Sequence, residues 1–447
     1  MSSALMLAAV LAATPIRLED ARARSRGNTQ ALTALLQASA AEQDVRTARS
    51  SLLPQLGFRG GANYNYTGPQ RTYERVPVLD AEGNQTGAFE QQLGRSPEFT
   101  YPNFNLSLSV SQLLYDRAAW ARLSQTGAQL EALRGEALEQ ADASELEGIQ
   151  RFFALYRSQS TIQVLKANVV RSEQQLERAR ALFQAGRVGK AEELSALVNL
   201  GNDRISVVLR QAQRARDQAQ LATWLAMPGT EALEAVTPPG LDTPPPPPPS
   251  LEQSVAEART RRPLLKALRQ RIRAAELQRS IVTAGYLPQV SLQGSLQRSG
   301  FEPDVYFGEP SLQNSASAGV SFQWDLFNGF STQAQTRRAE YQTRVAELNL
   351  QQSERELEGA LSQAHQTLLA QISASELAEA NRQAAADALR LAEERFNAGV
   401  SSTLEVRDAQ LKLTQAELTL LENRIEVETA RFALMRAMGT LAPGEAQ

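Results

Sequence analysis

The residues that could carry enzymatic or metal chemistry are scarce in this chain. Its 447 residues include no cysteine, which excludes disulfides, thiolate metal sites and a cysteine nucleophile. The single histidine, His365, excludes a metal site built from several imidazoles and leaves little general acid–base chemistry. Asp80, Glu82 and Asn84 have the spacing of a calcium loop, but glutamine holds its sixth and twelfth positions. We therefore expect no metal, no cofactor and no catalysis.

The charged residues are numerous but balanced. There are 46 Lys and Arg against 49 Asp and Glu, which gives a net charge of −3, and the two signs alternate along the chain. No basic stripe stands out, so a nucleic-acid partner is not expected. Hydrophobic residues make up 42%, enough for a packed core. Composition thus favours a structural, binding or conducting protein.

The N-terminus carries an unbroken apolar run, Ala4–Ala13. A membrane-spanning helix needs about 20 apolar residues, so this run predicts a secretory signal peptide over residues 1–13. No Lys or Arg precedes the run, and a buried first helical turn is the alternative. No other stretch approaches the length of a membrane helix, so membrane association would need another route.

The chain repeats itself. Ala48–Leu56 matches Val282–Val290, and Ala181–Gly186 matches Glu394–Gly399, with offsets of 234 and 213 residues. The first copy therefore carries about 21 additional residues, which fall within residues 57–104. A duplicated architecture follows from these matches.

The boundaries of the duplication are set by composition. Repeat one is expected over residues 16–236, a linker over 237–250 and repeat two over 250–441. Pro244–Pro249 is a continuous proline run, which predicts a stiff polyproline II segment.

Each repeat is predicted to contain a helix, two strands, a very long helix, a turn and a second long helix. The first helix is expected over Leu18–Leu53, ending before Pro54. Its counterpart is expected over Leu251–Leu287, ending before Pro288.

Strand signals follow each first helix. Apolar and polar residues alternate there in four segments: Ala62–Tyr66, Leu106–Val110, Val290–Gln293 and Val320–Leu326. Of 26 aromatic residues, 17 lie in residues 57–115 and 286–330. Such clustering suits an aromatic girdle at a membrane interface, and equally an ordinary sheet packed on helices.

The long helices have coiled-coil spacing. Asp116–Gln184 contains no proline and would be about 100 Å long at 1.5 Å per residue. Small and apolar residues repeat within it at steps of three and four: Leu165, Val169, Ser172, Leu176, Ala179 and Phe183. The helix is expected to turn at Ala185–Gly186 and to return over Ala191–Met227, and Ala398–Gly399 marks the second turn.

Strand number then constrains the assembly. Four alternating strands cannot close a barrel with a lumen, and a bilayer does not tolerate open sheet edges. Chains must therefore pool their strands, and three copies, giving twelve, are the smallest number that leaves a duct. The predicted fold is mostly α with a β-barrel portion.

Several motifs together resemble the TolC-type outer-membrane efflux family. They are the duplicated segments Ser51–Leu56 and Gly285–Val290, the strand end Trp324–Gly329, and the turn Arg395–Gly399 running into Leu404–Gln410. Their order and spacing cover essentially the whole chain after the signal peptide.

The resemblance implies a homotrimer with a 12-stranded barrel in the outer membrane of a Gram-negative bacterium. A periplasmic α-helical tunnel would continue the barrel and dock onto a periplasmic adaptor and an inner-membrane transporter. Outer-membrane lipid would surround the barrel. Such ducts export drugs, metals or proteins and catalyse nothing, and the transporter rather than the duct sets most of the specificity.

The resemblance also assigns residues at the helix turns. Glu405 and Asp408 match carboxylates that form an acidic ring at the pore entrance, although acids in a first helical turn are favoured by the helix dipole in any case. Gly186 and Gly399 mark the turns expected to contact the adaptor.

Glu192 matches an acid that helps to latch the closed state in the family. The position of its basic partner holds Ser401, so the chain departs from the family pattern there. Arg187, Lys190 or Arg407 could replace that partner.

An alternative from another class is a periplasmic coiled-coil adaptor or scaffold protein. An adaptor has one helical hairpin flanked by small β domains. The two predicted hairpins, each following a strand pair, favour the duct.

Overall fold

The computed structural model describes residues 13–79, 81–241, 243, 247–306 and 314–441. Apart from Ala13, the expected signal peptide lies outside the described residues. So do Asp80 of the rejected calcium loop and Pro244–Pro246 of the proline run.

The helices follow the same order in both halves of the chain, and the number of strands differs. The helices are α1 Leu18–Arg26, α2 Thr29–Ser50, α3 Arg117–Gln184, α4 Lys190–Trp224, α5 Leu251–Arg261, α6 Pro263–Thr283, α7 Ser331–Asn397 and α8 Thr403–Met438. The strands are β1 Thr14–Ile16, β2 Gln55–Thr67, β3 Gln70–Leu79, β4 Gln85–Ser96, β5 Phe99–Tyr115, β6 Leu233–Ala235, β7 Gln289–Gly300 and β8 Asn314–Gln323.

The chain divides into two compact units. The helical unit consists of the described residues within Met1–Glu42, Ala128–Arg273 and Thr343–Gln447. The strand-bearing unit consists of the described residues within Gln43–Gly127 and Ala274–Gln342.

The two larger apolar clusters of the helical unit contain most of its buried core residues. In the first, Phe152 and Phe153 of α3 are essentially fully buried, with ring centroids 5.7 Å apart, among residues of α1, α4, α8 and the short strands. In the second, Leu265 of α6 packs with Leu361 of α7 and Leu434 of α8. Burial of these large side chains, each worth about 1.5–3 kcal/mol, holds the helices together.

The long helices begin and end close to their predicted limits because nothing in their sequence interrupts them. Helix α3 runs over Arg117–Gln184 and α4 over Lys190–Trp224, within three residues of the expected bounds. Near the second turn, Leu389 and Ala392 of α7 are buried against Val406 and Ala409 of α8. The two alanines, Ala392 and Ala409, allow the close approach of a coiled-coil seam.

The prediction of one helix over Leu18–Leu53 is wrong. The helix breaks after α1 at Gly27, and the Oδ1 of Asn28 accepts a hydrogen bond from the Ala31 N–H at 2.9 Å. This side chain caps the start of α2 and makes a separate helix favourable there.

The prediction of one helix over Leu251–Leu287 is also wrong. Pro263 has no N–H to continue α5, and Arg262 before it is extended, with φ −63° and ψ 123°. A new helix, α6, therefore starts at Pro263, as proline favours at a first helical position. Residues Ala284–Tyr286 then form a 3₁₀ turn.

Two short strands were not predicted from the sequence. Strands β1 and β6 pair in parallel, with Ile16 opposite Ala235 and Thr14 opposite Leu233. Three residues are too few for a periodic signal.

The strand-bearing unit is built on an antiparallel sheet in the order β2-β5-β7-β8. Its edges, β2 and β8, are not paired with each other, so the sheet is open in a single chain. The strand predicted over Val320–Leu326 is wrong at its end. Strand β8 ends at Gln323, which pairs with Gln289. Because Gln289 is the first residue of β7, the residues after Gln323 have no partner on that strand.

The two faces of this sheet differ in chemistry. Cross-strand partners share a face, so the register sorts the side chains. One face is mainly apolar, carrying Leu56, Phe58, Leu106, Leu108, Val110, Leu292, Leu296, Val320 and Phe322, and its polar members include Gln112, Arg298 and Asn314. The other is lined by Ser, Gln and Asn: Asn63, Asn105, Ser107, Ser109, Ser111, Gln293, Ser295, Gln297, Ser317 and Ser321. The apolar face is solvent-exposed in the isolated chain, and Phe58 is 72% exposed.

The extra residues of repeat one form a hairpin that was not predicted. Strands β3 and β4 pair only with each other, as a separate two-stranded sheet. The expectation of two strands in repeat one is therefore wrong, since the structure has four between α2 and α3.

Among the described residues, every helix is either too short or too polar to cross a membrane.

The single histidine has a structural contact. The Nε2 of His365, on α7, lies 3.1 Å from the carbonyl oxygen of Pro249. His365 thereby ties the end of the proline-rich linker to a helix of the second repeat.

Candidate functional site at the helix turns

The two helix reversals have the same backbone design. Gly186 and Gly399 have φ values of 69° and 75°, the left-handed conformation that glycine adopts without strain. After the first, the Arg187 N–H donates to the Leu182 carbonyl at 2.9 Å, and after the second, the Val400 N–H donates to Arg395 at 3.0 Å. These bonds satisfy carbonyls that the helix end leaves open.

The acids predicted to line the pore entrance lie at the start of α8. The Ser402 hydroxyl caps this helix by accepting from the Glu405 N–H at 3.3 Å. Glu405 accepts a hydrogen bond from Ser401 at 2.7 Å and lies 3.5 Å from Arg395. Asp408 lies 2.7 Å from Lys412, one turn further along α8.

Both acids are solvent-exposed, with side chains 45% and 59% accessible for Glu405 and Asp408. Ion pairs at such exposed sites contribute about 0–1 kcal/mol, so neither carboxylate is held firmly. The basic partners nevertheless lower the net negative charge that each chain presents at the turn. An acidic ring made of these residues would therefore be partly neutralised.

Glu192, predicted as a latch residue, lies in a groove of about 280 Å³ between α3, α4 and α8. Arg407 lines the same groove, but its guanidinium is bound elsewhere. Of the other candidate partners, Lys190 pairs with the neighbouring Glu193. Within the described part of the chain, Glu192 forms no ion pair.

The partner of Arg407 is Asp203. Two guanidinium nitrogens donate to the two carboxylate oxygens at 2.8 and 3.0 Å, a bidentate pair of nearly buried side chains. The Ser172 hydroxyl accepts from the same guanidinium at 3.0 Å and donates to Asp203. The pair links α8 to α4, and Ser172 adds α3, so removing either charge would leave the other buried without a partner.

Buried polar side chains extend this pair along the helices. The Gln410 amide donates to Asn168 at 3.0 Å and to Ser172 at 3.2 Å. Thr414, one turn further along α8, donates to Asn168 at 3.1 Å. We name Asn168, Ser172, Asp203, Arg407, Gln410 and Thr414 the polar seam. A buried, hydrogen-bonded network of this kind favours one packing of the helices.

The polar seam was not predicted as a unit. Ser172 was predicted to belong to the coiled-coil stripe, and Arg407 only to be a candidate partner for Glu192. The sequence does carry a signal for a polar stripe, because polar residues recur four positions apart on each helix. They are Asn168 and Ser172 on α3, and Gln410 and Thr414 on α8.

A second set of charges lies in the helical unit. Glu145 of α3, essentially buried, accepts from Arg22 and Arg26 of α1 at 2.7 Å each. Asp142 lies 3.0 Å from Arg26, and burial raises the pKa of this carboxyl despite the attraction of Arg26. The arrangement fastens α1 to α3.

Metal ligation finds no support in the described residues, where no three His, Cys, Asp or Glu side chains come together to hold an ion.

Comparison with known proteins gives a consistent assignment. Residues 255–440 match the family model described as outer membrane efflux protein. The chain is 22% identical over 418 residues to the outer membrane protein TolC of Vibrio cholerae, covering 92% of this chain and 88% of that protein. It is 24% identical over 365 residues to the outer membrane efflux protein BepC of Brucella suis, covering 80% and 76%.

The fold is also that of a solved channel. The structure of the outer-membrane channel OprN superposes with a TM-score of 0.75 at 20% identity, covering 95% of this chain and 90% of that one. The resemblance expected from the motifs is confirmed, since the chain is similar to outer-membrane efflux proteins of the TolC type along most of its length.

Proposed function

We propose that the protein is the outer-membrane channel-tunnel of a tripartite efflux or type I secretion system. It would act as a passive export duct, with a barrel in the outer membrane and a long helical portion in the periplasm. The relatives are named as outer-membrane and efflux proteins, and the family is one of ducts rather than enzymes.

The observation that carries this proposal is the four-stranded sheet with one apolar and one polar face. Its strands are 10 to 17 residues long, enough for the 9–11 residues that a tilted membrane strand requires. The apolar face suits lipid, and the Ser, Gln and Asn face suits a water-filled lumen. The sequence left open a periplasmic adaptor or scaffold. Such a protein would be surrounded by water, where an exposed apolar sheet face is unfavourable.

The open edges support a trimer. Strands β2 and β8 each lack a neighbour on one side within a chain, and the bilayer demands that every backbone group be paired. If β2 of one chain pairs with β8 of the next, three copies close a barrel of twelve strands. The long helices of three chains would then enclose the tunnel.

The helix turns are the proposed contact with the partners. Gly186 and Gly399 are exposed, and the backbone at both turns is shaped for a compact tip. We assign these turns to docking on a periplasmic adaptor, which couples the duct to an inner-membrane transporter. Glu405 and Asp408 are the proposed entrance acids, and Glu192 stays a proposed latch residue.

Cysteine cross-linking tests the edge pairing directly, because the natural chain has no cysteine. Ala62→Cys on β2 is combined in turn with Ala316→Cys, Ala318→Cys or Val320→Cys on β8, all on the apolar face. Paired Cα atoms about 4.4–6.8 Å apart form a disulfide. We expect one combination to give covalent dimers and trimers on a non-reducing gel.

Leu106→Cys, on the central strand β5, replaces Ala62→Cys as the matched control. Both neighbours of β5 belong to its own chain, so this control should give no linkage between chains. Absence of linkage in every β2–β8 combination, with monomers by sedimentation in detergent, would contradict the proposed function.

A further inference from the structure

The proposed duct does not require the hairpin of β3 and β4, because these strands are not part of the four-stranded sheet. It follows β2 after two residues and precedes β5 by two residues, so it extends the chain beyond the loop end of the four-stranded sheet. Repeat two has no counterpart, since β7 and β8 carry no second strand pair among the described residues. A function for these additional residues must come from their own surface.

The register of the hairpin separates its side chains into two faces. Tyr73 pairs with Leu93 and Arg75 with Gln91, whereas Glu74 between them pairs with Gln92. The Thr72 and Ser96 hydroxyls lie 3.0 Å apart, which confirms that the even-numbered residues of β3 share a face with their partners. We name the other face the cationic face, and it consists of Arg71, Tyr73, Arg75, Pro77, Phe89, Gln91, Leu93 and Arg95.

The cationic face carries three arginines and no acid, while both acids paired within the ladder, Glu74 and Glu90, lie on the opposite face. In the described part of the chain, none of these three arginines forms an ion pair. Tyr73 and Phe89 are 71% and 64% exposed. Unpaired guanidinium groups interleaved with exposed aromatic rings form a surface for an anionic, amphiphilic partner.

The position of the face indicates which anion it meets. At the adjoining end of the four-stranded sheet, Tyr64 and Tyr66 of β2 lie on the apolar face and are 77% and 65% exposed. Aromatic clusters of this kind mark the headgroup level of a bilayer. Arg71 and Arg95 are each four residues beyond this end, about 13 Å at the rise of a strand.

We propose that the cationic face binds the phosphorylated headgroup of an anionic lipid in the outer leaflet of the outer membrane. Guanidinium groups bind phosphate oxygens in bidentate fashion, and the aromatic and aliphatic side chains cover the apolar part of the lipid. This inference rests on the proposed function, because it requires the sheet to lie in that membrane.

Lipid binding to the detergent-purified full-length trimer tests the proposal. Diphosphoryl lipid A and its dephosphorylated form are the probes, and native mass spectrometry counts the lipids bound. We expect the phosphorylated form to bind and R71Q/R75Q/R95Q to weaken that binding at least about tenfold. The matched control, E74Q/E90Q on the opposite face, should bind as the wild type does.

Protease protection gives a second readout on the unaltered protein. Arg71, Arg75 and Arg95 are themselves trypsin sites, so bound lipid should slow cleavage of the hairpin, and dephosphorylated lipid should not. Competition with inorganic phosphate distinguishes a free-anion site, since a lipid site should retain its lipid.

Equal binding by the arginine variant, or equal binding of both lipid forms, would overturn the proposal. So would displacement of the lipid by inorganic phosphate alone. Trimer formation and channel conductance of the same variant are measured in parallel. Loss of lipid with an intact trimer supports the inference, whereas failure of the wild type to form a trimer would count against the proposed function instead.

Discussion

Gly148 of α3 shows how much a single missing side chain matters in this fold. A Cβ at this position would lie 2.5 Å from the Cβ of Ser25 on α1, closer than real side-chain atoms approach. Gly148→Ala should therefore force α1 away from α3 and destabilise the protein by about 1–3 kcal/mol. The midpoint of thermal unfolding, followed by circular dichroism in detergent, is expected to fall.

Gly127, on the same helix, is the matched control. A Cβ there would meet nothing within 4 Å. Gly127→Ala should raise the midpoint, because alanine is favoured over glycine in a helix by about 0.5–1 kcal/mol. Equal shifts in the same direction for both substitutions would show that the contact with Ser25 is not what requires glycine at position 148.

At the scale of elements, the attachment of α1 to α3 depends on charges that titrate. Asp142 faces Arg26 at 3.0 Å and also Glu139 and Glu145, and its raised pKa results mainly from burial. The folded state thus holds a proton on Asp142 more tightly than the unfolded state does. Stability should rise as the pH falls through the range just above the ordinary aspartate pKa, and should be lost as the pH rises through it.

The difference in unfolding midpoint between the wild type and Asp142→Asn isolates this contribution. Relative to the variant, the wild type should gain stability on acidification, by at most about 1.4 kcal/mol per pH unit for one group. Glu131→Gln, on the exposed side of α3, is the control for the removal of one carboxylate from this helix. A wild type that loses stability relative to Asp142→Asn on acidification would contradict the assignment.

The elements themselves were predictable to different degrees. The ends of α3 and α4 were predicted to within three residues, because helical periodicity continues without interruption over many residues. The strands β3 and β4 were missed because neither of their faces is purely apolar. The helix breaks at Gly27 and Arg262 were missed because helical propensity continues across both positions, and the decisive contacts are local caps.

The candidate site was harder to predict than the fold. The turn glycines, Gly186 and Gly399, could be predicted because each lies between two segments with helical periodicity. The Arg407–Asp203 pair joins residues 204 positions apart, and no local pattern specifies such a partner. Residue types along one helix show that a face is polar, but only the packed helices show which charges meet.

At the scale of the whole molecule, the distribution of charge predicts where ion selectivity arises. The polar face of the sheet carries Ser, Gln and Asn with few charges, so the proposed barrel should discriminate weakly between ions. The proposed entrance acids, Glu405 and Asp408, belong to the helical unit, and the proposed trimer would hold three copies of each. Selectivity should therefore depend on the helix turns.

The Glu405→Ala/Asp408→Ala double variant should lower cation selectivity and abolish block by a trivalent cation, without affecting assembly. It should also shift preference towards anions, because Arg395 and Lys412 lose their partners. A charge contact in water is worth about 1 kcal/mol at 4 Å, so each lost contact weakens block about fivefold. Single-channel recording in planar bilayers measures both quantities.

Two conditions and one variant make this test specific. Block in the wild type should weaken at acidic pH, as carboxylates protonate, and in high salt, as screening grows. Asp387→Ala is the matched control, because Asp387 is similarly exposed and pairs with Arg390 on α7, away from the turn.

Unaltered block in the double variant would mean that these acids only stabilise the start of α8 through the helix dipole, a contribution of about 1 kcal/mol or less. The entrance charge would then have to come from other residues of the helical unit.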